Sequence, residues 1–161
     1  AELAEIKPDL IIMGLKDSID YIDIASGKDS LEQATRDYIE TLDKLTAMGC
    51  KVIVLADTPV LTYHAVECMS APGGNPKKCS TPLNKAVNEE LLKQVMQQNK
   101  NPDVFFYNLN DLICPNNKCL PVRGQVLVFR DKRHLTKTFA RLMAPAFAEI
   151  LSNDFNLAIV D

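Results

Sequence analysis

The sequence predicts an α/β fold with a mainly parallel sheet, and three observations carry that reading. Short continuous apolar runs, Leu10 to Met13, Val52 to Ala56 and Val104 to Tyr107, have the length and composition of strands buried on both faces. Between them lie segments whose apolar residues recur at three- and four-residue steps, the period of amphipathic helices. The two kinds alternate along the chain, the order that builds crossover-connected parallel strands. In such folds chemistry gathers beyond the carboxyl ends of strands. Residues 14–18, 57–62, the loop after Asn108 and residues 130–134 are therefore the places to search.

Taken in order, Pro8-Asp9 leads into the first strand, which ends at Gly14, and a polar stretch follows to Lys28. Asp29-Ser30 opens the first helix, with Ser30 and Gln33 spaced as a capping box. Leu31, Ala34, Tyr38, Leu42 and Leu45 form its apolar stripe, and Gly49 sits where helices commonly stop. The second strand, Lys51 to Ala56, runs into Asp57-Thr58-Pro59, and a long loop occupies residues 60–80. Thr81 is placed to cap a helix with Pro82 at its first position, its stripe being Leu83, Val87, Leu91 and Val95. Asn101-Pro102 ends it, Asp103 to Asn108 is the third strand, and Gln125 to Phe129 a shorter fourth. Thr136 can cap a last helix whose face is Phe139, Leu142, Ala146, Phe147, Ile150 and Leu151. Pro145 should kink or restart that helix, because its ring removes a backbone donor. With no repeat, low-complexity tract or linker, residues 1–161 are expected to form a single domain.

Composition excludes several classes of function. A formal charge of −3 with 24% charged residues is too balanced for a protein held electrostatically to nucleic acid or to a membrane surface, so no nucleic-acid partner is expected. The apolar runs fall well short of the ~18 residues of a membrane span. Of five cysteines, four form two local pairs inside polar loops: Cys68 with Cys79, and Cys114 with Cys119. Such loops offer little reason to bury a thiol, so disulfides and an oxidising compartment are expected. The competing arrangement, a zinc site from these four and His64, lacks C-x₂-C spacing. Cys50, after Gly49 at the start of a strand, reads as a small buried thiol.

There are two histidines. His134 lies three residues after Asp131, just before the last helix. At that spacing on a turn, a carboxylate can meet the imidazole Nδ1–H and leave the other ring nitrogen to take a proton from a nucleophilic hydroxyl. The competing reading is an exposed, salt-bridged loop among Asp131, Lys132, Arg133 and His134. His64 has only Glu67 as a neighbouring carboxylate and reads as a loop histidine without function.

Asp131-Lys132-Arg133-His134-Leu135-Thr136, ahead of an amphipathic helix, resembles the last catalytic block of the SGNH hydrolase superfamily. Pro8-Asp9 before the first strand, Pro59 after the second, the two close cysteine pairs, and Arg130-Asp131 ahead of His134-Leu135 narrow the resemblance. They look like the SGNH domain fused to membrane-bound acyltransferases of family 3, which O-acylate bacterial surface sugars. The resemblance runs from about Pro8 to Leu151. It implies a flavodoxin-like three-layer α/β/α sandwich, with His134 as general base and acid and Asp131 as its orienting carboxylate. It implies no metal and no organic cofactor, and an acylated carbohydrate as substrate. It also implies an upstream membrane acyltransferase domain in the same parent protein, tethering this chain at the periplasmic or extracellular face.

The chain departs from the family pattern at the nucleophile. No Gly-Asp-Ser occurs, and Gly14-Leu15-Lys16-Asp17 lacks the Asn of the family's third block. The expectation is that these residues are the carboxyl-terminal part of an SGNH domain whose serine lies upstream. The other possibility is that Gly14-Leu15-Lys16-Asp17-Ser18 is a stretched Gly-Asp-Ser with Ser18 as nucleophile. Two inserted residues would spoil the tight turn that presents the hydroxyl, and Asp17-Ser18 also reads as a turn or helix cap. The alternative functional class is a degenerate, non-catalytic SGNH-like module that binds glycan or is purely structural.

Overall fold

The computed structural model describes residues 2–17, 22–23 and 28–155. In chain order its elements begin α1 (Glu2–Ile6), β1 (Leu10–Gly14), β2 (Ile22–Asp23), β3 (Lys28–Asp29), α2 (Leu31–Thr46), β4 (Lys51–Leu55) and α3 (Ala65–Ser70). They continue with β5 (Thr81–Pro82), α4 (Leu83–Ala86), α5 (Glu90–Gln98), β6 (Val104–Tyr107), α6 (Asn110–Ile113), β7 (Lys118–Cys119), β8 (Val122–Arg123), β9 (Val126–Leu127) and α7 (Lys137–Phe155). Two compact units result, one from residues 1–57 and 87–109, the other from 58–86 and 110–161.

The first unit holds the parallel sheet. β1, β4 and β6 lie side by side in that order, with Ile12 opposite Ile53 and Ile53 opposite Phe105. The three apolar runs of the sequence are thus neighbours in one sheet. Val52, Ile53 and Val54 of the central strand have no exposed surface, which is why the run is continuous rather than alternating. α2 packs on β4 and on α5, and Leu42, Val52, Val54, Leu91, Leu92 and Val95 form the core between them. α2 starts where expected, Ser30 Oγ accepting the Gln33 N–H at 3.1 Å. The Gln33 amide donates to Asp37 at 2.7 Å instead of reaching back, so half of the capping box is made. Gly49, at φ +87°, occupies the left-handed region that stops the helix. The buried Cys50 thiol donates to the Leu45 carbonyl at 3.0 Å.

One expected helix is two. The stripe from Leu83 to Val95 is divided into α4 and α5, because α5 takes its start from a remote group. Asp17 is buried, and its two carboxylate oxygens accept the N–H groups of Leu91 at 3.0 Å and Leu92 at 3.2 Å. Asn88 donates to the Asp17 carbonyl at 3.2 Å and completes the tie. A carboxylate on the first N–H groups of a helix satisfies donors the helix cannot and complements its dipole.

The second unit is built from short pieces. β5 pairs antiparallel with β7, Thr81 opposite Cys119, and β8 with β9, Val122 opposite Leu127. Leu61, Ala65, Ile113, Val128, Phe129 and Phe139 form its core, together with Cys114 and Cys119. The expected disulfides, Cys68–Cys79 and Cys114–Cys119, are both present and consume the thiols that a zinc site would need. In the first disulfide loop a Cβ at Gly74 would collide with the carbonyl oxygens of Cys68, Met69 and Ala71, so only glycine lets the chain close there. Thr81 caps no helix: it is buried, and its hydroxyl accepts the Thr62 N–H at 2.9 Å. The run Gln125 to Phe129 is not a strand of the parallel sheet. It folds back through Gly124, at φ +59°, onto β8, and the Val128 N–H donates to the Pro121 carbonyl at 2.8 Å. α7 continues through Pro145 as one element, and the donor proline lacks is one bond in a 19-residue helix. Among the described residues no helix is long and apolar enough to cross a membrane.

Candidate active site

The segment between β9 and α7 is tied down almost residue by residue. The Thr136 hydroxyl donates to the Leu127 carbonyl at 2.5 Å and accepts the Phe139 N–H at 3.1 Å, so it caps α7 as expected and also anchors it to β9. The buried Phe129 bridges Leu135, and the Arg130 N–H donates to the His134 carbonyl at 2.9 Å. Two further bonds come from residues 58–61. The Lys132 carbonyl accepts the Leu61 N–H at 2.6 Å, and the Arg133 carbonyl accepts the Thr58 hydroxyl at 3.1 Å.

Asp131 divides its two oxygens between two tasks. Oδ1 accepts the backbone N–H groups of Arg133 and His134, both at 2.8 Å, which folds the turn. Oδ2 faces His134 Nδ1 at 2.7 Å. The two backbone donors, and then the imidazole, hold the Asp131 carboxyl well below the usual carboxylate range. An ionised carboxylate only accepts, so Nδ1 carries the ring proton and Nε2 keeps its lone pair when the imidazole is neutral. The His134 side chain is 57% exposed. Arg130 Nε lies 3.4 Å from the same Oδ2. Of the competing salt-bridged loop, the Asp131–His134 pair is formed and Arg130 joins it. Among the described residues, Lys132 and Arg133 pair with no carboxylate.

The other candidates sit elsewhere in the chemistry. Ser18 lies outside the described residues, and its neighbour Asp17 is committed to capping α5. His64 occupies the cap position of α3 without capping it, and its Nδ1 is buried with no hydrogen-bond partner. Thr58 and Leu61 are the supporting residues that pattern reading did not single out. Thr58 and Leu61 fall in the segment after β4, which the strand-end rule marks, yet no local motif gives them a role.

A parallel sheet with helices packed on it makes this an α/β protein, and the loop before its last helix carries the Asp131–His134 pair. The family described as SGNH domain (fused to AT3 domains) matches residues 4–149, and the chain belongs to it. A solved structure titled Salmonella ser. Paratyphi A lipopolysaccharide acetyltransferase periplasmic domain is similar in fold, with a TM-score of 0.63 at 17% identity. The match covers 93% of this chain, which spans 59% of the length of that domain. Among curated proteins, none matches. The α/β fold of SGNH type that the sequence implies is the one observed.

Proposed function

We propose that this chain is the carboxyl-terminal part of an extracytoplasmic SGNH domain that moves acyl groups on cell-surface glycans through a serine acyl-enzyme. His134 acts as general base and then acid, and Asp131 orients it. The observation that carries the reading is the 2.7 Å contact from His134 Nδ1 to Asp131 Oδ2, made by a carboxylate whose other oxygen already holds the turn. With that carboxylate ionised, the neutral imidazole carries its proton on Nδ1 and leaves Nε2 to accept one.

The serine comes from an upstream segment of the parent protein. Its hydroxyl attacks the acyl carbonyl while Nε2 takes the hydroxyl proton, and Asp131 stabilises the imidazolium without itself taking a proton. Collapse of the tetrahedral intermediate breaks the bond to the leaving alkoxide, which receives that proton from Nε2. A sugar hydroxyl or water then attacks the acyl-serine, giving its proton to Nε2, and the proton returns to the serine oxygen as the new ester, or with water the carboxylic acid, is released. Membership of a family fused to AT3 domains supports a membrane acyltransferase domain as the tether. Two disulfides suit an oxidising compartment, and the fold match to a periplasmic acetyltransferase domain supports the same placement.

The test is made in the parent protein that includes the upstream serine. His134→Ala should lower turnover of an acetyl ester on the order of a thousandfold or more. Residues 1–161 alone should not hydrolyse p-nitrophenyl acetate measurably. Saturable hydrolysis lost on Ser18→Ala would move the nucleophile to Ser18 and overturn the upstream serine. Wild-type turnover by His134→Ala would leave the domain a non-catalytic module.

A further inference from the structure

The loop that carries Asp131 and His134 has a charge opposite to that of the chain. Residues 130–137 hold Arg130, Lys132, Arg133 and Lys137 against the single carboxylate of Asp131, a net of +3 in a chain of −3. Arg130, Lys132 and Lys137 are exposed and Arg133 is half-buried. Asp131 pairs with Arg130 at 3.4 Å and with His134 at 2.7 Å through Oδ2, its Oδ1 being taken by backbone, and so does not meet Lys132, Arg133 or Lys137. Among the described residues no carboxylate pairs with Lys132, Arg133 or Lys137.

This arrangement works against local stability. The cations lead into α7, whose first turn holds no acidic residue. A helix favours negative groups at that end and positive groups at the other, so cations here repel both one another and the helix dipole. An anion brought in from outside would offset that repulsion, and a local positive charge in a net negative molecule favours its approach to this loop. The loop also lacks what a membrane surface requires. Its one large apolar residue, Leu135, packs on the core, and no large apolar side chain of 130–137 is among the exposed ones.

We propose that the 130–137 loop binds an anionic glycan, one that carries a carboxylate or phosphate on or beside the acylated sugar presented to His134. The proposal rests on the catalytic reading only for what is presented to the imidazole. The binding itself needs no serine and is measured without turnover.

The experiment titrates the 161-residue chain, by calorimetry at low ionic strength, with trigalacturonate and with neutral galactotriose. Vesicles containing phosphatidylglycerol form a third arm. Trigalacturonate should bind on the order of tenfold or more tighter than galactotriose, and added salt should erase the difference. The double substitution Lys132→Gln and Arg133→Gln should weaken trigalacturonate on the order of tenfold, with thermal unfolding as the check on folding. Should the double variant unfold, the exposed Lys132→Gln alone should still weaken binding severalfold. Absence of trigalacturonate binding, equal binding of the two sugars, or indifference to the substitutions overturns the proposal. So does binding to the vesicles but not to trigalacturonate, which would make the loop a membrane contact. None of these results touches the His134→Ala test, so the two readings fail separately.

Discussion

In the sheet unit, β4 contributes three consecutive side chains without exposed surface, and α2 and α5 supply a continuous apolar stripe against it. In the disulfide-bonded unit, β5, β7, β8 and β9 are two residues each. Shape there comes from two covalent bridges and from hydroxyl and carboxylate bonds to backbone: Thr62 to Thr81, Arg133 to Thr58, Thr136 to Leu127, and Asp131 to its own turn. Apolar burial contributes roughly 25 cal/mol per Å² whatever the direction of approach, so it holds a sheet but does not aim an imidazole. Hydrogen bonds weaken steeply with angle, and a loop saturated with them places a side chain within a few tenths of an ångström. The Asp–His pair lies where the directional bonds are.

The largest expected effect tests whether the two units are separately stabilised. Each disulfide closes a short loop and should contribute about 2–3 kcal/mol by constraining the unfolded chain. Replacing all four bridged cysteines by serine should therefore cost several kcal/mol, read by denaturant unfolding. In native-state hydrogen exchange the loss of protection should fall on residues 58–86 and 110–155 and spare the amides of β1, β4 and β6. Equal loss in the sheet would mean a single cooperative unit and would break the comparison.

Next in size is a buried directional group within the sheet unit. Asp17→Ala leaves the N–H groups of Leu91 and Leu92 without their acceptor and should cost about 1–3 kcal/mol, with α5 amides exchanging faster. Asp17→Asn, keeping one acceptor oxygen, should fall between.

The same contrast explains what could be read beforehand. β1, β4, β6, α2 and α7 were legible because apolar periodicity reports burial, and burial makes these elements. The break between α4 and α5 was not, because its cause, Asp17, stands 74 residues from the N–H it caps. Gln125 to Phe129 misled for the opposite reason: an apolar run reports that it is buried, not which strand it pairs with, and Gly124 turns it onto its sequence neighbour. The Asp131–His134 spacing was readable because a side-chain-stabilised turn is local. The anchors Thr58 and Leu61 were not, since a hydroxyl or amide meeting a carbonyl some seventy residues away leaves no pattern in sequence.

A smaller effect belongs to acid and to the second unit. Asp131 keeps its native pKa well below the value near 3.9 of an unfolded aspartate. Its contribution is complete above about pH 4 and is lost as the pH falls toward the native value, because there the unfolded chain binds a proton that the native loop excludes. With the side chain 27% exposed, screening should hold this to about 1 kcal/mol or less. The difference in thermal unfolding between wild type and Asp131→Asn should narrow from pH 4 to pH 2. A constant gap across that range would mean that the carboxylate's charge plays no part in holding the turn.

The smallest effect belongs to alkali and to the first unit. Tyr38 on α2 donates its hydroxyl to the Gly14 carbonyl at 3.3 Å, and burial pushes its pKa up to about 12. A tyrosine in the unfolded chain ionises near pH 10. Between these values the unfolded state sheds a proton that the native state keeps, so the contribution of Tyr38 is complete below pH 10 and is lost as the pH rises through 12. At neutral pH, Tyr38→Phe removes one long hydrogen bond at the end of β1 and should cost under about 1 kcal/mol. Lysines titrate in the same range, but they do so in both proteins and cancel when wild type is compared with Tyr38→Phe. That difference should shrink and then change sign above pH 10, the phenylalanine variant becoming the more stable. Acid would then act first on the loop of Asp131 and alkali first on the packing of α2 against β1. A difference between wild type and Tyr38→Phe that stays flat from pH 9 to 11.5 would show that the Tyr38 hydroxyl reaches water in the folded protein and that burial does not govern its ionisation.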